Sequence, residues 1–420
     1  MIRVSATTAD ITPSRDVVLG GFWSRSGPVR STGVDDKLEA NLALIDDGQH
    51  SVLLVSIDTL FTGPDLAYDL EHRLADRGNR TEVVALATHT HSAPMLDRGK
   101  PSLGAVDLAW YSEVLQRLTS AAERAFGRLA SGPMVSTASN EINGSVGRRL
   151  RVRRPFLSAR RVQLYGIING PNPSAERAPM CRAAVLRRAD DSVACAIVSW
   201  ACHPSHRPAI GRISADYIGF VRGAVRSALG NIPVLFLQGF AGDICAHIKQ
   251  RLTARKLARR LLRGPVFMVP TLREWEDWAA DVASGIAGVV AAAARNNAVP
   301  ATAIRVGAVD APLSSLFDGG SDEGTCEARI VSVCNNLRLF MVNAEVSAEY
   351  AAAVQQHGFW PVGYLGNVFG YFPTDAQIRE GGYEVDRFRP FFGLSGRFTG
   401  SNDAVFAALL RGAQEGTSSR

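Results

Sequence analysis

Ser51-Val52-Leu53-Leu54-Val55-Ser56-Ile57 and Glu82-Val83-Val84-Ala85-Leu86-Ala87 are two continuous apolar runs, and between them Asp65 to Leu74 has the spacing of an amphipathic helix. A strand that is apolar at nearly every residue is covered on both faces. Two such strands joined through a helix lie parallel, because a parallel pair needs a long crossover. This β-α-β unit predicts an α/β domain. The second run leads into Thr88-His89-Thr90-His91-Ser92-Ala93-Pro94. In parallel sheets, residues just beyond the carboxyl end of a strand line the crevice where ligands bind.

Outward from that unit, an opening strand is expected at the N-terminus, a helix over Ala109 to Leu129 and a strand near Met134 to Ile142. A loop rich in Arg, Gly, Asn and Pro is expected through Pro179. Strands follow at Ala183–Leu186, Ala194–Trp200 and Val234–Leu237, with a helix from Tyr217 to Leu229 before the last. Arg251 to Leu262 reads as a basic helix and Trp275 to Arg295 as an Ala-rich one. The last third predicts strands near Ala303 to Val309, Ala328 to Val333 and Leu337 to Val342, a helix from Ser347 to Gln355, then Gly-rich and aromatic loops. No internal repeat or Pro/Ser-rich linker interrupts the chain. The expectation is one domain over 1–413, with mixed β-sheets flanked by helices, and a disordered tail over 414–420.

Composition excludes several classes. Hydrophobic residues make up 46% against a net charge of only +6, which is incompatible with general disorder. No apolar run is long enough to suggest a transmembrane segment, and the N-terminus lacks a secretion-signal layout. The six cysteines include no Cys-x-x-Cys pair, so free thiols in a cytoplasmic protein are expected. Basic residues gather in two places, Arg148 to Arg161 and Arg251 to Arg263. They read either as solvated surface or as attraction for an anionic substrate, an acidic carrier protein or a lipid surface. They lack the interleaved aromatics and motifs of a nucleic-acid binder.

Chemistry concentrates at the strand ends. His89 and His91, two apart, share one side of an extended backbone. Imidazole suits zinc, which takes three or four N, O or S ligands and in catalytic sites keeps one position for water. Cys202-His203-Pro204 repeats the layout after Ala194–Trp200, so two strands of one sheet are expected to bring His89 and His203 to a common edge. Cys202 should point to the opposite face and pack. Gln238-Gly239-Phe240-Ala241-Gly242-Asp243 is a third strand-end loop, where Asp243 is a candidate to orient a histidine and Cys245 a candidate nucleophile. Glu345 follows the run Leu337–Val342 as an acidic ligand candidate or a helix-terminal carboxylate. Asn367–Tyr371 and Gly381-Gly382-Tyr383-Glu384 form loops suited to substrate contact.

Taken together, these pieces resemble the catalytic domain of the neutral/alkaline, non-lysosomal ceramidases. The matching stretches are Ala9-Asp10-Ile11-Thr12-Pro13, Val55-Ser56-Ile57-Asp58, Thr88 to Pro94, Cys202-His203-Pro204, Ile213-Ser214-Ala215-Asp216-Tyr217, Gln238 to Asp243, Glu345, Gly370-Tyr371 and Gly382-Tyr383-Glu384, in family order. The resemblance implies zinc on His89, His203, Glu345 and Tyr371, with His91 contacting substrate, Tyr383 near the scissile amide, and hydrolysis of an N-acyl amide by an activated water. The chain departs from the family pattern at Cys245, where a Ser is usual. It also departs at Asn143-Gly144-Ser145, where an Asn-Arg-Ser stretch supplies a substrate-binding Arg, and at Asn343-Ala344 before the ligand Glu. This sequence ends where the family continues into an immunoglobulin-like C-terminal domain, so a relative without that domain is expected.

The substrate expected is therefore a small or lipid-like N-acyl amide. Other readings are intramolecular acyl transfer on the same centre, a ligand-binding relative without turnover, and a Cys245 nucleophilic enzyme.

Overall fold

The computed structural model describes residues 1–24, 27–75, 80–158, 161–175, 179–251, 253–254, 264–319 and 324–418, with backbone alone at 22–24, 154–158, 161–164 and 416–418. Most of the expected basic helix over Arg251 to Leu262 lies outside these residues.

The first sheet contains β1 (Arg3–Asp10), β2 (Glu39–Asp46), β3 (His50–Ile57) and β4 (Arg80–Ala87), in the order β4-β3-β2-β1, and ends on the short strand Ala130–Ser131. β1, β2 and β3 run antiparallel in turn. Helix α1 (Asp65–Leu74) then crosses over, so that β4 lies parallel to β3, as the two apolar runs required. Helix α2 (Leu108–Phe126) follows, capped by Asp107, whose carboxylate accepts from the Trp110 backbone N–H.

The second sheet repeats this plan. It contains β5 (Met134–Glu141), β6 (Met180–Arg187), β7 (Val193–Trp200) and β8 (Val234–Gln238), in the order β8-β7-β6-β5, and ends on the short strand Val299–Pro300. Again two antiparallel pairings precede a crossover helix, α3 (Tyr217–Leu229), and a parallel pair. Helix α4 (Leu272–Arg295) closes the unit. The sequence carries no visible repeat, yet the topology occurs twice, because a chain trace can be duplicated while its apolar residues are freely exchanged for others of similar volume.

Burial alternation stacks the layers. Leu53 and Val55 face α1 and α2, whereas Val52 and Leu54 face the second sheet, together with Ile197, Leu235 and Leu237. Val198 and Phe236 turn outward onto α3 and α4. The result is a four-layer α-β-β-α sandwich. Among the described residues α4 is long and apolar enough to cross a membrane, but Trp275, Val282, Ile286 and Val290 on one of its faces are buried in this core.

A third sheet, β9 (Arg305–Pro312), β10 (Thr325–Cys334), β11 (Leu337–Val342) and β12 (Trp360–Val362), also ends in a parallel pair, β11 with β12. One of its faces joins the inter-sheet core through Val331, Leu339 and Met341. The other packs with helix α5 (Asn402–Ser418), which shows that residues 414–418 continue a helix where a disordered tail was expected.

Two further differences follow from the sheets. His89 leaves the first sheet and His203 the second, so the pair is delivered by two stacked sheets and not by two strands of one. The expected loop up to Pro179 is in fact largely a long hairpin, Ser145–Ser158 with Arg161–Asn172, and its first residues also pair with Ile244–Ala246. The arginines there hid the strand alternation.

Leu54 is fully buried between the first two sheets. Leu54→Ala should destabilise the fold by ~3 kcal/mol, within the range for buried leucine truncation; denaturant unfolding reads this as a lowered midpoint with an unchanged slope.

Candidate metal centre and active site

The parallel pairs β3–β4, β7–β8 and β11–β12 end at one place. His89 follows β4, His203 follows β7, Gly242 and Asp243 follow β8, and Glu345 follows β11. Strand ends of neighbouring layers are tied by backbone hydrogen bonds: Ala87 N–H donates to Tyr364 and Gly363 N–H to Gln238. Asp58, just past β3, is a bolt across the layers. Its carboxylate accepts from Arg222 of α3 at 3.0 and 2.5 Å and from the Thr88 hydroxyl at 3.0 Å, immediately before His89.

His89 sits at φ +66°, a left-handed conformation that a histidine holds only when its surroundings impose it. Its Nδ1 lies 3.0 Å from the Leu60 carbonyl, which can only accept, so Nδ1 carries a proton and Nε2 faces inward. The His203 Nδ1 has a longer contact, 3.4 Å, with the Ala241 carbonyl. His89 Nε2 and His91 Nε2 lie 3.2 and 3.1 Å from His203 Nε2. Burial, followed by the charges of neighbouring histidines and Arg148, holds His91 and His203 well below the ordinary imidazole range. They are neutral at pH 7.

The Glu345 carboxylate completes the centre. Its Oε2 lies 3.5 Å from His89 Nε2 and 3.8 Å from His203 Nδ1, and it is buried without a hydrogen-bond partner among the described residues. A buried carboxylate oxygen left without a donor is costly. Three imidazole nitrogens and this oxygen fit a divalent cation. With Zn–N near 2.0–2.1 Å, a tetrahedral ion spaces its ligands by roughly 3.3 Å, and the nitrogens already stand at 3.1 and 3.2 Å. His91 is thus as near to His203 as His89 is, and joins the group that could hold an ion.

Tyr371 stands beside Glu345 because Glu345–Val346 and Tyr371–Phe372 form a two-residue parallel ladder. Its hydroxyl accepts from Arg148 Nη2 at 3.0 Å. Burial pushes this phenol up, and so does the Glu345 charge, against Arg148. Tyr383, edge-on to Tyr371 at 5.7 Å, is pushed up to about 12 by burial and is therefore a neutral donor.

Asp243 does not touch a histidine. Its carboxylate accepts from the Ser347 hydroxyl, the Ala348 backbone N–H and the Gln377 amide, each at 2.8 Å, and so braces the segment that follows Glu345. Cys245 is buried, its thiol pushed up to about 11 by burial in spite of Arg148. Cys202 faces the outer core with Trp200 and Val198, as its position opposite His203 required.

Four residues were not legible as site residues. Arg148, from a run read as either surface or anion attraction, is buried and places its guanidinium among Tyr371, Tyr383 and Glu384. Its partner Arg149 holds the other Glu384 oxygen at 2.8 Å. Tyr364, at φ +61°, stacks on His89 with ring centroids 4.2 Å apart. Gly21, at φ +78°, leaves no room for a Cβ beside the His91 ring. The strand character of Ser145–Ser158 was the signal that would have brought Arg148 in.

Strand-end histidines and a carboxylate, gathered where stacked sheets meet, define an α/β protein with a buried candidate metal centre. No family model and no curated protein matches the sequence. The fold does have solved counterparts. A crystal structure of neutral ceramidase from Pseudomonas aeruginosa superposes with a TM-score of 0.71 over 99% of this chain and 74% of that chain, at 15% identity. A ceramidase complexed with C2 superposes with a TM-score of 0.69 over 98% and 74%, also at 15% identity. The chain is similar to these proteins in fold.

A Cβ on Gly242 would lie 2.8 Å from the carbonyl carbon of Glu345 and 2.9 Å from the Val346 oxygen. Both are backbone atoms, so the neighbouring segment must move. Gly242→Ala is expected to weaken divalent-metal binding at least tenfold, about what loss of outer support costs, as read by competition with a chromogenic chelator. Unchanged affinity would show that Glu345 does not contribute to the site.

Proposed function

We propose that the chain is a zinc-dependent amidohydrolase acting on a small or lipid-like N-acyl amide. The observation that carries this reading is the convergence of His89, His91 and His203 on one another beside the unpartnered Oε2 of Glu345. The fold shared with two ceramidase structures supports it.

His89, His203 and Glu345 would hold the ion, with Tyr371 or His91 as the remaining donor. When bound, zinc supplies Lewis acidity for the acyl carbonyl and acidifies an attacking water. The protein's own groups do the rest. Neutral imidazoles leave their lone pairs available to a metal or a proton, and the neutral Tyr383 phenol can donate to the carbonyl oxygen as negative charge develops there. Where Tyr371 is the fourth donor, His91 is left free to carry a proton to the departing amine. Arg148 holds the Tyr371 hydroxyl in place through Nη2 and leans on Glu384 through Nε at 2.8 Å.

Cys245 is not the nucleophile in this reading, because a thiol raised to about 11 is almost wholly protonated at pH 7. The six cysteines are all free, which supports a reducing compartment such as the cytoplasm.

Protein purified without chelators should carry about one zinc per chain and release amine from a panel of N-acyl amides. His89→Ala and Glu345→Gln should each abolish turnover and weaken zinc binding by more than the roughly 10- to 100-fold typical of outer-sphere changes. Cys245→Ala should keep both zinc and activity. Metal-free protein with undiminished turnover would overturn the proposal.

A further inference from the structure

Tyr364 stands between β12 and Tyr371, and its backbone joins two chain segments that lead into the metal centre. Its carbonyl accepts from the Ala87 N–H at 3.2 Å, two residues before His89. Its own N–H donates to the Ala344 carbonyl at 3.3 Å, immediately before Glu345. The residue sits at φ +61°. A tyrosine takes this left-handed conformation only where its surroundings impose it, because Cβ crowds the backbone there. What the conformation achieves is the placing of a ring. The centroids of Tyr364 and His89 lie 4.2 Å apart, with the two planes 32° from parallel.

Packing alone would be served as well by phenylalanine. Tyr364 is fully buried, and a buried hydroxyl without a partner costs stability that phenylalanine would not lose. Yet the Tyr364 hydroxyl has no partner among the described residues, and neither has Oε2 of Glu345. The two are complementary. Burial holds the phenol well above its ordinary range, so it keeps its proton and can donate, whereas a carboxylate oxygen accepts. Of the charges that act on this phenol, that of Glu345 has the largest effect, ahead of Arg148. An orphaned donor and an orphaned acceptor therefore share one buried neighbourhood.

We infer that Tyr364 is a positioning residue of the metal centre: its ring fixes His89, and its hydroxyl is the donor kept for the Glu345 carboxylate when a divalent cation is bound. Ligands oriented by hydrogen bonds from behind hold a metal more tightly. The inference rests on the metal centre of the proposed function and is independent of which bond that centre breaks.

Tyr364→Phe keeps the ring and removes only the hydroxyl. Zinc affinity of the full chain is read by competition with a chromogenic chelator, and the chelator-treated chain is unfolded in denaturant. The variant should bind zinc about tenfold more weakly or worse, in the range for lost outer support. Its metal-free unfolding midpoint should stay or rise, because an unsatisfied buried hydroxyl has gone. In a Glu345→Gln background the same substitution should cost far less, since its effect runs through the carboxylate. Unchanged zinc affinity in Tyr364→Phe, a lowered metal-free midpoint, or an equal loss in both backgrounds would overturn the inference. A wild-type chain that takes up no zinc would sink the metal centre itself, and the inference with it. Zinc binding that depends on Tyr364, found without amide turnover, would leave the inference standing and sink the amidohydrolase reading alone.

Discussion

Imidazole nitrogens 3.1 and 3.2 Å apart, next to a carboxylate oxygen with no donor among the described residues, form an arrangement that a positive charge bound between them would satisfy. Burial denies that charge to His91 and His203 as protons, since it holds both well below the ordinary imidazole range. The rest of the fold is what keeps these groups together against that tension. His89 is held in a left-handed backbone conformation, and the residue before it is tied through Thr88 to Asp58 and Arg222. A centre of this kind needs over-determined supports, because a single flexible ligand would swing out to water.

Those supports come from duplication of the sandwich. Each of the first two sheets ends in a parallel pair made by a crossover helix, and the third sheet ends in a parallel pair as well. Parallel pairs place loops at their carboxyl ends, and stacking three sheets brings three sets of such loops to one rim. The two-residue ladder of Glu345–Val346 with Tyr371–Phe372 then sets an acid and a phenol side by side. Gly242 permits the close approach that this requires.

The buried cations are the chief departure from the simplest picture of a basic protein. Arg148 and Arg149 share the two oxygens of Glu384 in a dry setting, and Arg148 reaches past it to Tyr371. A buried ion pair gains little net stability after desolvation, so its value lies in orientation. It locks the Tyr371–Tyr383 wall. The guanidinium beside this centre comes from Arg148, on the first strand of the long hairpin.

Local sequence determined the elements whose apolar pattern was unmistakable: β3, α1, β4, β7, α3, β8 and β11 all lie where continuous apolar runs or helical spacing placed them. It also marked His89, His91, His203 and Glu345, because polar residues directly after an apolar strand stand out against their surroundings. Period-two alternation is lost where arginines occupy inward positions, so the strand that carries Arg148 read as a loop. Pairings between distant segments leave no local signature at all. Hence which sheet each histidine leaves, the repetition of the α-β-β unit, the stacking of Tyr364 on His89 and the bracing of Ser347 by Asp243 were settled only by packing. A residue's chemistry is written in its own letter, whereas the company it keeps depends on apolar faces finding one another across the whole chain.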